Sequence, residues 1–133
     1  MRLLLDTHVW LWSEQQPEKL GAKSRKILLD ATNELFISSI STLEIAQLLH
    51  KERITLKGDL ASWIDQSAER LSLQTITLSN DIAVQAYTLP GAFHSDPADR
   101  IIVATARQKQ FKLMTADERI LAYGQVNVVN AVT

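Results

Sequence analysis

Residues 1–12, MRLLLDTHVWLW, decide the fold of this chain. Leu3, Leu4 and Leu5 form an apolar run with no polar face, which is typical of a strand buried on both sides of a parallel sheet. The run ends at Asp6, whose charged form is disfavoured if the carboxylate is buried. In open parallel sheets, ligands bind at this edge. Asp6 is therefore either a site residue or the N-cap of the next helix, depending on whether other acids reach the same edge.

The composition limits the function classes. The chain has 133 residues and is 46% apolar, which predicts one domain, 1–133, with a substantial core. Its net charge of −1 gives no general attraction to nucleic acid, so RNA binding would need local patches. The absence of cysteine excludes disulfides, thiolate zinc sites and thiol catalysis. No apolar run reaches membrane-spanning length and no leader precedes Asp6, so we expect a cytoplasmic protein without membrane contact.

Short apolar runs alternate with helical patterns along the whole chain. The predicted strands are residues 3–5, 35–37, 73–78, 111–115 and 126–129. The segments between them carry apolar residues at helical spacings, and the helix after Pro97 is apolar enough to be largely buried. Strictly alternating strands and helices predict an α/β fold with a parallel sheet between two layers of helices.

Four acids fall at equivalent positions in this pattern. Asp6 ends the first strand, and Glu44 lies in the predicted first turn after the second strand. Asp99 lies in the first turn of the helix before the fourth strand, and Asp117 directly follows that strand. Right-handed crossovers bring helix N-termini and strand C-termini to one edge of a parallel sheet. We therefore expect all four carboxylates at the same edge.

Each of these acids also has a purely structural interpretation. Glu44 follows Ser41 by three residues, which is the spacing of a capping box. Asp96 and Asp99 suit the N-terminus of a helix, and Asp117 suits an N-cap. Several carboxylates at one edge would nevertheless repel each other unless protons or a cation intervened. An all-oxygen site favours Mg²⁺ or Mn²⁺, and such sites serve phosphodiester hydrolysis. The pattern thus predicts a metal-dependent phosphotransfer or nuclease site.

Four segments resemble the signature blocks of PIN-domain ribonucleases, and most closely those of VapC-type toxins from bacterial toxin–antitoxin pairs. The segments are LDTH at 5–8, SSISTLEI at 38–45, HSDPADRIIVATA at 94–106 and LMTAD at 113–117. They occur in the family's order and extend over nearly the whole chain. The resemblance implies a five-stranded parallel sheet in the order 3-2-1-4-5. In that order Asp6 and Asp117 end the two strands at the topological switch point.

The resemblance also assigns roles to individual residues. It implies that the catalytic, metal-binding acids are Asp6, Glu44, Asp99 and Asp117. It implies supporting roles for Thr7, Thr115, Asp96 and Arg100. The two threonine hydroxyls would orient carboxylates, or would only be hydrogen bonders at strand ends. Asp96 is the alternative to Asp99, and Arg100 would contact phosphate or pair with a site acid.

By resemblance, the chain is expected to be a Mg²⁺- or Mn²⁺-dependent endoribonuclease toxin that cleaves structured RNA such as tRNA. The resemblance further implies a homodimer neutralised by a cognate antitoxin. The alternatives are a PIN-fold nuclease of RNA processing and a non-catalytic α/β binding module. The four glycines, at 21, 58, 91 and 124, are scattered, which excludes a glycine-rich nucleotide-binding loop.

Other features carry weaker signals. Trp10 and Trp12 follow the first strand, so at least one is expected at the rim of the site, where an antitoxin helix would cover it. His8 and His94 are interpreted as packing or hydrogen-bonding residues, with proton transfer as the alternative. Two basic clusters are interpreted as solvated faces, with RNA contact as the alternative. They are Lys19, Lys23, Arg25 and Lys26, and Lys51, Arg53 and Lys57.

Overall fold

The computed structural model describes residues 1–133 and contains a five-stranded parallel sheet. The strands are β1 (Arg2–Leu5), β2 (Glu34–Ser38), β3 (Gln74–Ile76), β4 (Lys112–Thr115) and β5 (Val128–Asn130). Their order across the sheet is β3-β2-β1-β4-β5, and every neighbouring pair is parallel. The predicted fold class and strand order are confirmed.

Seven α-helices and one short 3-10 helix connect the strands. The helices are α1 (Thr7–Gln15), α2 (Ala22–Leu29), α3 (Ser39–His50), α4 (Leu60–Leu71), α5 (Asn80–Ala86), α6 (Pro97–Lys109) and α7 (Glu118–Tyr123), with the 3-10 helix at Pro17–Lys19. None of these helices combines the length and the apolar character needed to cross a membrane.

Strand β1 lies at the centre of the sheet and is covered on both faces. Leu4 pairs in register with Phe36 of β2 on one side and Leu113 of β4 on the other. Leu3 and Leu5 point into one layer of the core and Leu4 into the other, as the two-residue period of a strand requires. All three leucines are fully buried. The apolar run has no polar face because neither face of β1 meets solvent.

The layer opposite α1 is filled chiefly by α6. Its residues Ile102, Val103, Ala104 and Ala106 are fully buried, which confirms the predicted burial of this helix. Asp96 caps α6 by accepting a hydrogen bond from the backbone N–H of Asp99 at 2.9 Å. Acceptor side chains at this position satisfy N–H groups that have no partner within the helix. The start of α6 is therefore fixed at the edge of the sheet.

Two local predictions were wrong. Strand β3 spans three residues instead of the predicted 73–78, because it is an edge strand that pairs only with β2. Helix α3 begins at Ser39, and its N-cap is Ser38, whose hydroxyl accepts from the Ile40 N–H at 3.2 Å. Ser41 and Glu44 therefore lie within the helix and do not form a capping box. Glu44 is consequently in the second turn of α3, with its side chain available for another role.

Trp10 belongs to the core and does not lie at a partner surface. Its side chain is fully buried, and its indole N–H donates to Ser67 Oγ at 3.0 Å. Its ring packs against Trp63 with the centroids 5.0 Å apart. Of the two tryptophans that follow β1, only Trp12 reaches the surface, where it is half-buried.

We expect Trp10→Ala to lower the free energy of unfolding by about 3–5 kcal/mol, since the substitution leaves a large cavity and removes the donor to Ser67. Urea denaturation followed by circular dichroism measures this change. Trp12→Ala is the matched control and should lower the free energy of unfolding much less. Equal losses for the two variants would contradict the assignment of Trp10 to the core.

Candidate active site

All four predicted acids line a single open cavity at the carboxyl edge of the sheet. The cavity has a volume of about 410 Å³. Its lining residues are Asp6, Thr7, His8, Trp12, Glu44, Asp96, Asp99, Ala116, Asp117 and Arg119. The carboxylates come from four different elements or their caps, so the sheet topology brings them together. We call this cavity the acid pocket.

Asp6 is the deepest of the acids and is held from two sides. One carboxylate oxygen accepts the Thr7 N–H at 2.9 Å, and the other accepts the Thr115 hydroxyl at 2.7 Å. The backbone N–H of Asp6 donates to the Met114 carbonyl at 3.0 Å and so extends the pairing of β1 with β4. Only 7% of Asp6 is exposed, and this burial raises the pKa of its carboxyl despite the two hydrogen bonds.

Glu44 reaches the pocket from the second turn of α3. Its carboxylate accepts a hydrogen bond from the Thr7 hydroxyl, which also lies 2.8 Å from Ser41 Oγ. Burial, with a smaller contribution from the negative charges of Asp6 and Asp99, raises the pKa of Glu44 to about 7. Thr7 therefore joins two site acids, Asp6 through its amide and Glu44 through its hydroxyl.

Asp99, rather than Asp96, is the more buried acid at the start of α6. Its carboxylate lies 2.6 Å from His94 Nε2, and burial raises its pKa against the opposing effect of this hydrogen bond. His94 Nδ1 is buried without a partner, so Asp99 is the polar contact of that ring. Asp96 is exposed and acts as the N-cap of α6, although it also lines the acid pocket.

Asp117 combines a capping role with a place in the pocket. One of its carboxylate oxygens accepts the N–H groups of Arg119 at 2.8 Å and Ile120 at 3.3 Å, which caps α7. Its own N–H donates to Thr115 Oγ1 at 3.0 Å. Thr115 therefore links Asp6 and Asp117 across the switch point between β1 and β4.

Arg119 is a pocket residue that the sequence analysis missed. Its guanidinium lies 3.5 Å from Asp117 and 3.8 Å from Asp99, while 63% of its side chain is exposed. It is the single arginine or lysine that lines the acid pocket. Arg119 could have been predicted as a pocket residue, because it lies two residues after Asp117 in the first turn of α7.

Arg100 does not form the predicted ion pair with a site acid. Its guanidinium donates to the backbone carbonyls of Ala86, Phe93 and His94 at 2.8, 3.0 and 3.1 Å. It also lies over the ring of Tyr87, 5.1 Å from the centroid. Arg100 therefore holds the loop before α6 against α5 and does not line the acid pocket.

The remaining aromatic and histidine side chains define the rim. His8 is exposed and lines the pocket beside Trp12, with ring centroids 6.1 Å apart. Lys19 Nζ lies 5.5 Å from the centroid of the Trp12 ring. Trp12 therefore presents an apolar ring beside the carboxylates, which fulfils the expectation that one of the two tryptophans lies near the rim.

The sequence and fold were compared with those of known proteins. Residues 3–125 match the family model of the PIN domain. The chain belongs to the PIN-domain family. It is 36% identical over 121 residues to Ribonuclease VapC22 of Mycobacterium tuberculosis, a match that covers 91% of each chain. The resemblance to VapC-type PIN domains is thereby confirmed.

Solved structures share the fold of this PIN domain. VapBC2 from Rickettsia felis, bound to a DNA fragment from its promoter, has a TM-score of 0.69 and 20% identity over 98% of each chain. VapBC-1 from nontypeable Haemophilus influenzae has a TM-score of 0.66 and 15% identity over 100% of each chain. A toxin–antitoxin complex from Klebsiella pneumoniae has a TM-score of 0.61 and 24% identity over 97% of each chain.

The chemistry of the acid pocket suits a hard divalent cation. The acidic donors are all carboxylate oxygens, and burial together with mutual repulsion raises the pKa values of Asp6, Glu44 and Asp99. No three acidic or histidine side chains are close enough to enclose an ion by themselves. Mg²⁺ often keeps several waters and uses one or two carboxylates, so this open arrangement fits such an ion.

The pKa of Glu44 leads to a prediction for the metal-free protein. Its ordinary value is 4.5 and its folded value is about 7, so between these pH values the folded state binds more protons than the unfolded state. Stability should therefore fall as the pH rises through this range, by a few degrees in Tm. Thermal unfolding in a chelator, from below pH 5 to pH 8, measures the effect.

Glu44→Gln should flatten this dependence, because glutamine does not titrate. Asp65→Asn is the matched control, since Asp65 is exposed on α4 outside the pocket. A pH dependence as steep in Glu44→Gln as in the wild type would show that Glu44 does not control it.

Proposed function

We propose that this PIN domain is a Mg²⁺- or Mn²⁺-dependent endoribonuclease that acts as the toxin of a toxin–antitoxin pair. The observation that carries the proposal is the convergence of Asp6, Glu44, Asp99 and Asp117 on one pocket. The identity to Ribonuclease VapC22 supports RNA as the substrate. Structured RNA such as tRNA is the substrate class that we expect.

One or two of these four acids would hold the cation directly, and the others would contact it through its bound waters. When bound, it would supply Lewis-acid stabilisation of the phosphoryl oxygens and an activated water. The protein supplies the positions of the charges: Thr115 fixes Asp6 at 2.7 Å and His94 fixes Asp99 at 2.6 Å. Such contacts to ligand side chains reduce the reorganisation needed on binding.

Glu44 is the acid best suited to move a proton in this site. A general acid or base works best when its pKa is near the working pH, and the pKa of Glu44 is about 7. Its Oε1 accepts the Thr7 hydroxyl, so Oε2 is the atom that would take a proton from an attacking water. Metal ligation would lower this pKa, so the protonated fraction depends on occupancy.

Asp6→Asn and Asp99→Asn should each reduce RNA cleavage at least about 100-fold, since each removes a metal-binding charge. The domain should stay folded in both variants, because neutralising one acid relieves repulsion. Cleavage of a total tRNA fraction with Mg²⁺ or Mn²⁺ measures activity, and thermal unfolding checks the fold.

Asp65→Asn, which removes an exposed carboxylate outside the pocket, should cleave like the wild type. A chelator should abolish wild-type cleavage. Wild-type rates in both pocket variants would contradict the catalytic role of these acids, and full activity in the chelator would contradict metal dependence. A wild-type protein that cleaves no RNA with either metal would leave a non-catalytic binding module as the better description. Cleavage without growth arrest on expression would favour a nuclease of RNA processing over a toxin.

We further propose a cognate antitoxin as a protein partner and a homodimer as the assembly. Solved structures with this fold include VapBC complexes and a toxin–antitoxin complex. Trp12 supplies a physical reason, because its half-buried ring lies beside the acid pocket and can be covered by a partner helix. A basic side chain on that helix would then reach the carboxylates and take the position of the metal ion.

Trp12→Ala should weaken binding of the proposed cognate antitoxin by at least about tenfold, because a buried aromatic anchor carries much of an interface energy. RNA cleavage should fall less. Titration calorimetry gives the affinity, and the same preparation gives the cleavage rate. An unchanged antitoxin affinity would place the contact elsewhere on the surface.

A further inference from the structure

The acid pocket continues into a second, smaller cavity along α3. This cavity has a volume of about 120 Å³ and shares three lining residues, Thr7, His8 and Glu44, with the acid pocket. Beyond them it is lined by Gln47, Leu48, Lys51 and Arg53. A single cleft therefore leads from the carboxylates to two basic side chains at the end of α3. We call this second cavity the basic arm.

Lys51 and Arg53 carry unpaired charges. Both side chains are exposed, and neither forms a salt bridge or a side-chain hydrogen bond. Arg70, by contrast, is paired with Glu14 at 2.7 Å. A cation at a helix C-terminus complements the helix dipole, which accounts for Lys51 at the C-cap of α3. It does not account for Arg53, which lies beyond the helix.

The acid pocket alone repels a polyanion. It holds five carboxylates, those of Asp6, Glu44, Asp96, Asp99 and Asp117, with Arg119 as its one arginine. A phosphodiester chain that places one phosphate at these acids needs cations for the neighbouring phosphates. Lys51 and Arg53 of the basic arm provide these cations on the side of the acid pocket next to Glu44. Arg119 lies on the opposite side of β1, beside Asp117.

We propose that an RNA strand lies along this cleft, with the scissile phosphate at the acid pocket and flanking phosphates on Lys51 and Arg53. This assigns Lys51 and Arg53, two of the three residues of the second basic cluster, to substrate binding. The first cluster lies on or near α2 and does not line the cleft. The inference rests on the proposed function, because it takes the acids as the cleavage site.

The test compares two double variants that remove the same charge. Lys51→Gln/Arg53→Gln removes the basic arm, and Lys23→Gln/Lys26→Gln removes two exposed lysines of α2. Both are made in an Asp6→Asn background without metal, so that RNA is bound and not cleaved. Fluorescence anisotropy with a labelled single-stranded oligoribonucleotide gives the affinity as a function of salt.

The salt dependence counts phosphate contacts. For single strands, the slope of log K against log salt changes by about 0.7 for each contact. Removing the basic arm should therefore reduce the slope by about 1.4, whereas the α2 variant should keep the slope of the parent. In the cleavage-competent protein, loss of the basic arm should raise KM several-fold and leave kcat nearly unchanged.

An unchanged slope in Lys51→Gln/Arg53→Gln, or equal losses in the two double variants, would overturn the proposal. Loss of antitoxin affinity with an unchanged RNA slope would also overturn it and assign the basic arm to an acidic protein segment. A reduced slope in a protein whose wild type does not cleave RNA would support the basic arm and contradict the nuclease function. The two proposals therefore fail in distinguishable ways.

Discussion

Repulsion between carboxylates on one edge of the sheet is the constraint around which this structure is built. Asp6, which is 7% exposed, directly follows the central strand, and four further acids line the same cavity. Burial raises the pKa values of Asp6, Glu44 and Asp99, and each of these acids receives added repulsion from another. The protein tolerates this cost because a cation or a proton relieves it, which is typical of functional sites.

Neutral donors, rather than cations, hold most of the acids in place. Thr7, Thr115 and backbone N–H groups at three helix starts bind the carboxylates. Such donors fix the orientation of an anion without cancelling its charge. The arrangement keeps the pocket negative and ready for a positive ligand, and Arg119, at 3.5 Å from Asp117, is the exposed exception.

The edge on which the acids meet could be predicted from strand–helix alternation and crossover handedness. The strand order was predicted only through the resemblance to PIN-domain ribonucleases. Side-chain environments could not be predicted. The spacing of Ser41 and Glu44 predicted a capping box, but the N-cap of α3 is Ser38, three residues earlier. Only the folded structure shows where this helix begins. Trp10 and Arg100 likewise find partners distant in sequence or in an irregular loop, which no local pattern encodes.

The pairing of β1 with β4 also sets the time at which the site can exist. Thr115 donates to Asp6 across 109 positions of sequence, and Met114 accepts the Asp6 N–H. During translation Asp6 leaves the ribosome well before β4, because more than a hundred residues separate them. Contacts between residues this far apart in sequence form late and slowly during folding. A nascent chain therefore carries separated acids without an assembled pocket until β4 has emerged.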